Sequence, residues 1–136
     1  RYSSIRTFMD EIIARAKETG YAETILHRKR QIKELNSKNG NKRSQAERLV
    51  VNTVIQGSAA DLIKVAMVNI QRRIEREYPA EKMTLQIHDE LVFEMPKAEA
   101  QEHARWIVDE MANAIPVCIP LKVDISIGPT WLGEKI

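Results

Sequence analysis

The stretch TLQIHDELVFE, Thr84 to Glu94, sets an imidazole and two adjacent carboxylates, His88, Asp89 and Glu90, between two short apolar runs. Adjacent carboxylates offer the hard oxygen ligands that Mg²⁺ or Mn²⁺ prefers. A Mg²⁺ ion commonly takes one or two protein carboxylates and completes its shell with substrate phosphates and water. Successive residues near a turn point in different directions, so Asp89 and Glu90 need not hold the same ion. The plainer alternative is a turn stabilised by an Asx-type bond from Asp89, with His88 and Glu90 solvated.

The flanking residues say what would position these groups. Met83, Leu85 and Ile87 alternate with Thr84 and Gln86, and Leu91, Phe93 and Met95 alternate with Val92 and Glu94. That period of two predicts a pair of half-buried strands. A tight hairpin favours Asn-Gly or Asp-Gly, which accept positive φ cheaply, and neither is present. Apolar strands on both sides would hold the tip rigidly, as a functional site requires.

A second array lies upstream, in SQAERLVVNTVIQGSAADLIK. Arg48, Asn52 and Gln56 are spaced four apart and share one face of a helix that continues that far. One long cation and two amides can donate to phosphates, sugars or base edges without reading sequence. An ordinary solvated polar face is the alternative. Against it, Leu49, Val50, Val51, Val54 and Ile55 surround the stripe with apolar residues.

Charge is unevenly placed. Net charge is +2, yet Arg28 to Arg48 holds eight basic residues (Arg28, Lys29, Arg30, Lys33, Lys38, Lys42, Arg43, Arg48) against Glu34 and Glu47. From Glu81 to Glu110 eight acids face Lys82, Lys97 and Arg105. A basic stretch is what a polyanionic partner requires, although a solvated loop has the same composition.

The remaining pattern supplies the scaffold. Ile5, Phe8, Met9, Ile12, Ile13 and Ala16 predict a helix over Ser4–Thr19, capped by Gly20. Short strands are expected at Tyr21–Leu26 and around Arg30–Leu35, with a loop over Asn36–Asn41. Ser44 and Glu47 form a capping-box pattern. The helix they open runs through Asn52 with a weak point at Gln56-Gly57, and a second stripe from Ala59 to Ile74 ends at Pro79. A third helix lies between Lys97 and Pro116, and Leu121–Ile127 alternates as a last strand with room to pair with the hairpin. The expected class is α+β, with helices packed on an antiparallel sheet of at least three strands.

With 136 residues, 43% hydrophobic and 29% charged, the chain can bury one real core. No contiguous apolar run approaches the roughly 20 residues that span a bilayer, and no signal-peptide pattern opens the chain. Cys118 is the lone cysteine, which excludes an internal disulfide and suits a reducing cytoplasm. The chain opens on Arg1 rather than Met and reads as a piece of something longer. His27 and His103 show no metal-ligand spacing with Cys118. There is no GxxxxGK loop and no GxSxG elbow. Aromatics are 5% of the chain, which disfavours a single-strand binder built on stacking, and Trp106 and Trp131 read as packing residues.

In order along the chain, GYAET (Gly20–Thr24), the basic HRKR turn, the loop containing Asn39, AER (Ala46–Arg48), NTVIQGSAADLIK (Asn52–Lys64), QIHDELVFE (Gln86–Glu94) and IGPTW (Ile127–Trp131) resemble the C-terminal polymerase region of family A DNA polymerases, the bacterial polymerase I type. HDE rather than HDS separates the chain from single-subunit phage-type RNA polymerases. It departs from the common pattern at Val54, where many relatives have Pro, and at Ile87, where Val is usual. The resemblance implies a DNA-templated DNA polymerase that joins dNTPs to a primer 3′-hydroxyl by a two-metal mechanism. Residues 81–136 would be the palm hairpin, helix and last strand, and 1–80 the helical part with the basic hairpin. Asp89 would bind catalytic Mg²⁺ (or Mn²⁺), Glu90 would lie near the metals, and His88 would lie against the primer terminus. Arg48, Asn52 and Gln56 would contact primer-template DNA, with Arg28, Arg30, Lys42 and Arg43 close to the duplex backbone. The resemblance also implies a second metal-binding Asp on a DYSQIE-like strand and a nucleotide-gripping helix, neither of which these residues contain. The remainder of the polymerase chain is therefore an expected partner, and the 136 residues alone are expected to be inactive. A membrane is not an expected partner, and the expected location is the cytoplasm, at the nucleoid. Two other readings are a non-catalytic duplex-DNA-binding module and an HD-type metal phosphohydrolase. The latter needs further His and Asp ligands on helices, whereas His88-Asp89 falls at a hairpin.

Overall fold

The computed structural model describes residues 2–131 and 133–135. It divides into two compact units, residues 1–61 and 62–136. Among the described residues the elements are α1 (Ser3–Thr19), β1 (Tyr21–Glu23), β2 (Lys29–Gln31), α2 (Gly40–Glu77), β3 (Lys82–Ile87), β4 (Glu90–Glu94), α3 (Ala100–Ala112), β5 (Ser126–Ile127) and β6 (Glu134–Lys135). The α+β class is as expected.

In the first unit, α1 ends where Gly20 takes φ 77°, and its N–H donates to Ala16 O at 2.8 Å. A left-handed cap is the conformation that glycine adopts at least cost. Of the predicted apolar stripe, Ala16 is buried and Ile12 and Ile13 pack beside it, whereas Ile5, Phe8 and Met9 are exposed. The core they join contains Ala22, Ile32, Leu35, Ala46 and Val50. β1 and β2 pair antiparallel, Tyr21 opposite Gln31 and Glu23 opposite Lys29, and are shorter than the pattern predicts.

The capping box at Ser44 does not form. Asn39 caps α2 instead, its Oδ1 accepting from Asn41 N at 3.0 Å and Lys42 N at 3.3 Å, and Glu47 pairs with Lys17 Nζ at 2.6 Å. Nor is there a break at Gln56-Gly57, for α2 runs unbroken for 38 residues. Flanking helix formers and the packing of both halves outweigh the roughly 1 kcal/mol cost of one interior glycine. By length and composition alone α2 could cross a membrane, but its Val50, Ala66 and Ile70 are buried in the two protein cores.

In the second unit, Ala66, Ile70 and Ile74 of α2 pack with Trp106 and Ile107 of α3 and with Met83, Leu91 and Phe93 of the hairpin. Tyr78 stacks on Trp106 with centroids 5.3 Å apart, and the Arg73 guanidinium lies 4.6 Å over the Trp106 ring. The buried Glu81 carboxylate pairs with His103 Nδ1, so this histidine serves structure.

Three expectations about the sheet and its neighbours are corrected. Among the described residues no sheet has three or more strands, and all three sheets are two-stranded. The last strand is only Ser126–Ile127, and it pairs with Glu134–Lys135 rather than with β3 or β4. Residues 121–125 keep the alternation of half-buried Leu121, Val123 and Ile125 with exposed Lys122 and Asp124, but without a ladder. Alternation specifies a face; a strand also requires a neighbouring edge to bond. Trp131 is 55% exposed, in contrast to Trp106 at 8%, because the turn that carries it lies outside both cores.

Candidate functional site

β3 and β4 pair antiparallel with Ile87 opposite Glu90, leaving His88 and Asp89 as a two-residue turn. Of those two only His88 has positive φ, 51°. That sign pattern belongs to the II′ class, whose first central residue is normally glycine. A non-glycine residue there stores on the order of 1–2 kcal/mol, the kind of strain that accumulates at functional sites. Gln86 Nε2 donates to His88 O at 2.6 Å and clamps the turn.

A bulge further back sets the aim of the tip. Register shifts between Met83, opposite Phe93, and Leu85, opposite Val92, so Thr84 is the extra residue. Its Oγ1 donates to Val92 O at 3.2 Å. One extra residue reverses the parity of everything beyond it. Met83 therefore shares the core face with Leu91 and Phe93, while Leu85 turns outward and is 47% exposed. Continuous alternation from Met83 to Ile87, the sequence expectation, is interrupted for this reason.

His88, Asp89 and Glu90 are all exposed at the tip, and no ion pair engages either carboxylate among the described residues. Their oxygens are chemically suited to a hard divalent cation. No group of three or more His, Cys, Asp or Glu capable of holding a metal occurs among the described residues. The tip thus fits a metal as a donor of one or two ligands whose shell is completed by other groups. The same finding leaves the HD-type phosphohydrolase without its ligand set.

The other candidates lie in the first unit. Arg48, Asn52 and Gln56 are exposed on the unbroken α2 helix, at intervals of four that keep them on one face. Ala46, Val50, Thr53 and Asp61 are buried on the side turned away from it. Of the apolar residues around the stripe, Leu49 and Ile55 are exposed, so this helix is not buried on all sides. Lys42 lies 3.6 Å from Glu34 Oε1, and Arg43 Nη1 donates to Ser37 O at 3.1 Å. Arg30 Nη1 reaches Thr53 Oγ1 at 3.5 Å.

Arg28 is held differently. Its Nε donates to Asp61 Oδ1 and its Nη2 to Gly57 O at 3.3 Å. Asp61, 2% exposed, also accepts from the Thr24 hydroxyl and from Leu26 N at 3.3 Å. Ser58 Oγ accepts from Ile25 N at 2.9 Å. A Cβ on Gly57 would stand 2.6 Å from Thr24 Cγ2, so glycine permits the close approach of the turn. The QGSAAD segment is therefore a seat for the β1–β2 turn. Asp61 is absent from the sequence-level candidates, although an acid set within the apolar run of α2 is a signal for it: such a charge needs a buried partner. Burial pushes its carboxyl up, but the Thr24 hydroxyl, Arg28 and the Leu26 N–H outweigh it and hold the group below its ordinary value.

Comparison with known proteins accords with this arrangement. The family model described as DNA polymerase family A matches residues 1–133. The chain is 43% identical over 134 residues to DNA polymerase I of Geobacillus stearothermophilus, covering 98% of this chain and 15% of the relative. It is 41% identical over 134 residues to DNA polymerase I of Bacillus subtilis strain 168, with the same coverage. Among solved structures, the POL domain of Pol1 from M. smegmatis, in complex with DNA primer-template and dNTP, matches with a TM-score of 0.91 and 39% identity. That match covers 96% of this chain and 23% of the other. The chain thus spans about 15% of the length of the relatives it resembles. It belongs to DNA polymerase family A.

Proposed function

We propose that this chain is a segment of the polymerase domain of a DNA-templated DNA polymerase, acting on primer-template DNA and dNTPs in the cytoplasm, at the nucleoid. The observation that carries the reading is the strained, clamped two-residue turn that presents Asp89 at the end of a bulged hairpin. It is supported by similarity to a polymerase domain solved with primer-template and dNTP. Asp89 would hold Mg²⁺ (Mn²⁺ as a substitute), with Glu90 beside it. Bound divalent ions lower the charge barrier to attack by a primer 3′-hydroxyl and to departure of pyrophosphate.

The chain's own residues do the positioning. The hairpin fixes the carboxylate, His88 stands beside it to face the primer end, and Arg48, Asn52 and Gln56 offer donors to the duplex. One carboxylate pair does not complete a two-metal centre, so these 136 residues alone bind DNA without extending a primer, while the remainder of the polymerase chain supplies the second Asp. The test is primer extension by the complete chain. Asp89→Ala should abolish incorporation and leave primer-template affinity nearly unchanged. Near-normal turnover in that variant refutes the assignment.

A further inference from the structure

We propose that Asp61 is a positioning residue for DNA binding: it fixes the Arg28 guanidinium so that its outer edge is presented to a backbone phosphate. This rests on the polymerase reading above. The side-on edge of Arg28, Nε with Nη2, is taken by Asp61 Oδ1 and Gly57 O. The remaining edge, Nη1 with the second Nη2 hydrogen, has no hydrogen bond among the described residues, and the side chain is 50% exposed. A guanidinium held by one edge presents the other in a fixed fork, the geometry that suits bidentate phosphate contact. Holding it beforehand removes much of the ordering cost of binding.

The seat is rigid. Asp61 is almost wholly buried, gathers three donors, and sits in a helix whose Gly57 touches the turn. Exposed Lys29 and Arg30 follow in β2, so the local field favours a polyanion. A charge that merely neutralised a buried acid would need no free fork and no basic neighbours.

The experiment measures primer-template affinity against salt for the complete polymerase chain and for Arg28→Ala, Arg28→Lys, Asp61→Asn and the double variant Arg28→Ala/Asp61→Asn. Urea unfolding of the same proteins is followed alongside. One lost phosphate contact lowers the slope of log K against log salt by about 0.9. We expect that loss in Arg28→Ala and in the double variant. Arg28→Lys should keep the slope but bind more weakly. Asp61→Asn should weaken binding in the Arg28 background and change nothing further once Arg28 is gone. The double variant removes both charges together, so it keeps the test valid if either single variant unfolds. Wild-type slope and affinity in the folded Arg28→Ala or double variant, with only stability lowered, overturns the proposal. Failure of the unmodified chain to bind primer-template overturns instead the polymerase reading beneath it.

Discussion

Asp61→Ala removes the buried group on which Thr24, Leu26 and Arg28 converge, and its cost can be worked from the contacts. Thr24 is 7% exposed, so its O–H is left without an acceptor in the interior, although its oxygen still accepts from Arg28 N at 3.2 Å, at a cost of about 1–3 kcal/mol. Arg28, half exposed, returns to water for about 0–1 kcal/mol. The smaller side chain leaves an unfilled space worth about 1 kcal/mol. Relief of the carboxylate's own desolvation offsets part of this, which leaves a net loss of about 2–3 kcal/mol. That is a large share of the roughly 5–15 kcal/mol that stabilises a typical domain. Urea unfolding followed by circular dichroism measures it, and amide exchange along Tyr21–Gln31 should show the loss in the first unit. Ser58→Ala, which removes a single bond to an exposed N–H, is the control and should cost less than about 1 kcal/mol.

The pH dependence has a definite sign. A carboxyl held below its ordinary value in the folded state contributes stability that is fully present above the unfolded value, about 3.9. It is lost as pH falls through the folded value. The gap between the unaltered chain and Asp61→Ala should therefore be constant at neutral pH and shrink below about pH 4. A neutral-pH loss no larger than that of Ser58→Ala would refute the reasoning, as would a gap that widens with acid.

Two further substitutions probe the same turn. Gly57→Ala should destabilise the chain although alanine is the better helix former by about 1 kcal/mol, because its Cβ meets Thr24 Cγ2. In a Thr24→Ser background, which keeps the hydroxyl and removes that methyl, denaturant melts should find the same change neutral or stabilising. His27→Gly relieves a residue at φ 61° and loses only an exposed contact with Glu23. It should raise stability by up to about 1 kcal/mol after the entropic cost of glycine, and a measured loss beyond about 0.5 kcal/mol would count against the strain.

The α1 helix and its Gly20 cap, the existence of the hairpin, and the exposure of His88, Asp89 and Glu90 at its end were legible in the sequence, although the turn itself is only His88-Asp89 and Glu90 opens β4. Each depends on local rules: periodicity, a left-handed cap, and an apolar run interrupted by polar residues. So was the Arg48, Asn52 and Gln56 stripe, since spacing of four fixes a face on any helix that continues. What tertiary structure alone decided is where those local patterns are overruled. Asn39, not Ser44, begins α2, because Glu47 is drawn to Lys17 across the first core. The glycine at 57 does not break the helix, because flanking helix formers and packing outweigh its cost, and its missing Cβ makes room for Thr24 in the β1–β2 turn. The bulge at Thr84 sends Leu85 and Ile87 to the face opposite Met83, a change of parity that alternation cannot announce. Leu121–Ile125 alternates like a strand and forms none, for want of an edge. Asp61 is an acid inside an apolar helix, and only the folded chain shows that Thr24, Leu26 and Arg28 converge on it, since residues more than thirty positions apart meet through packing rather than through spacing.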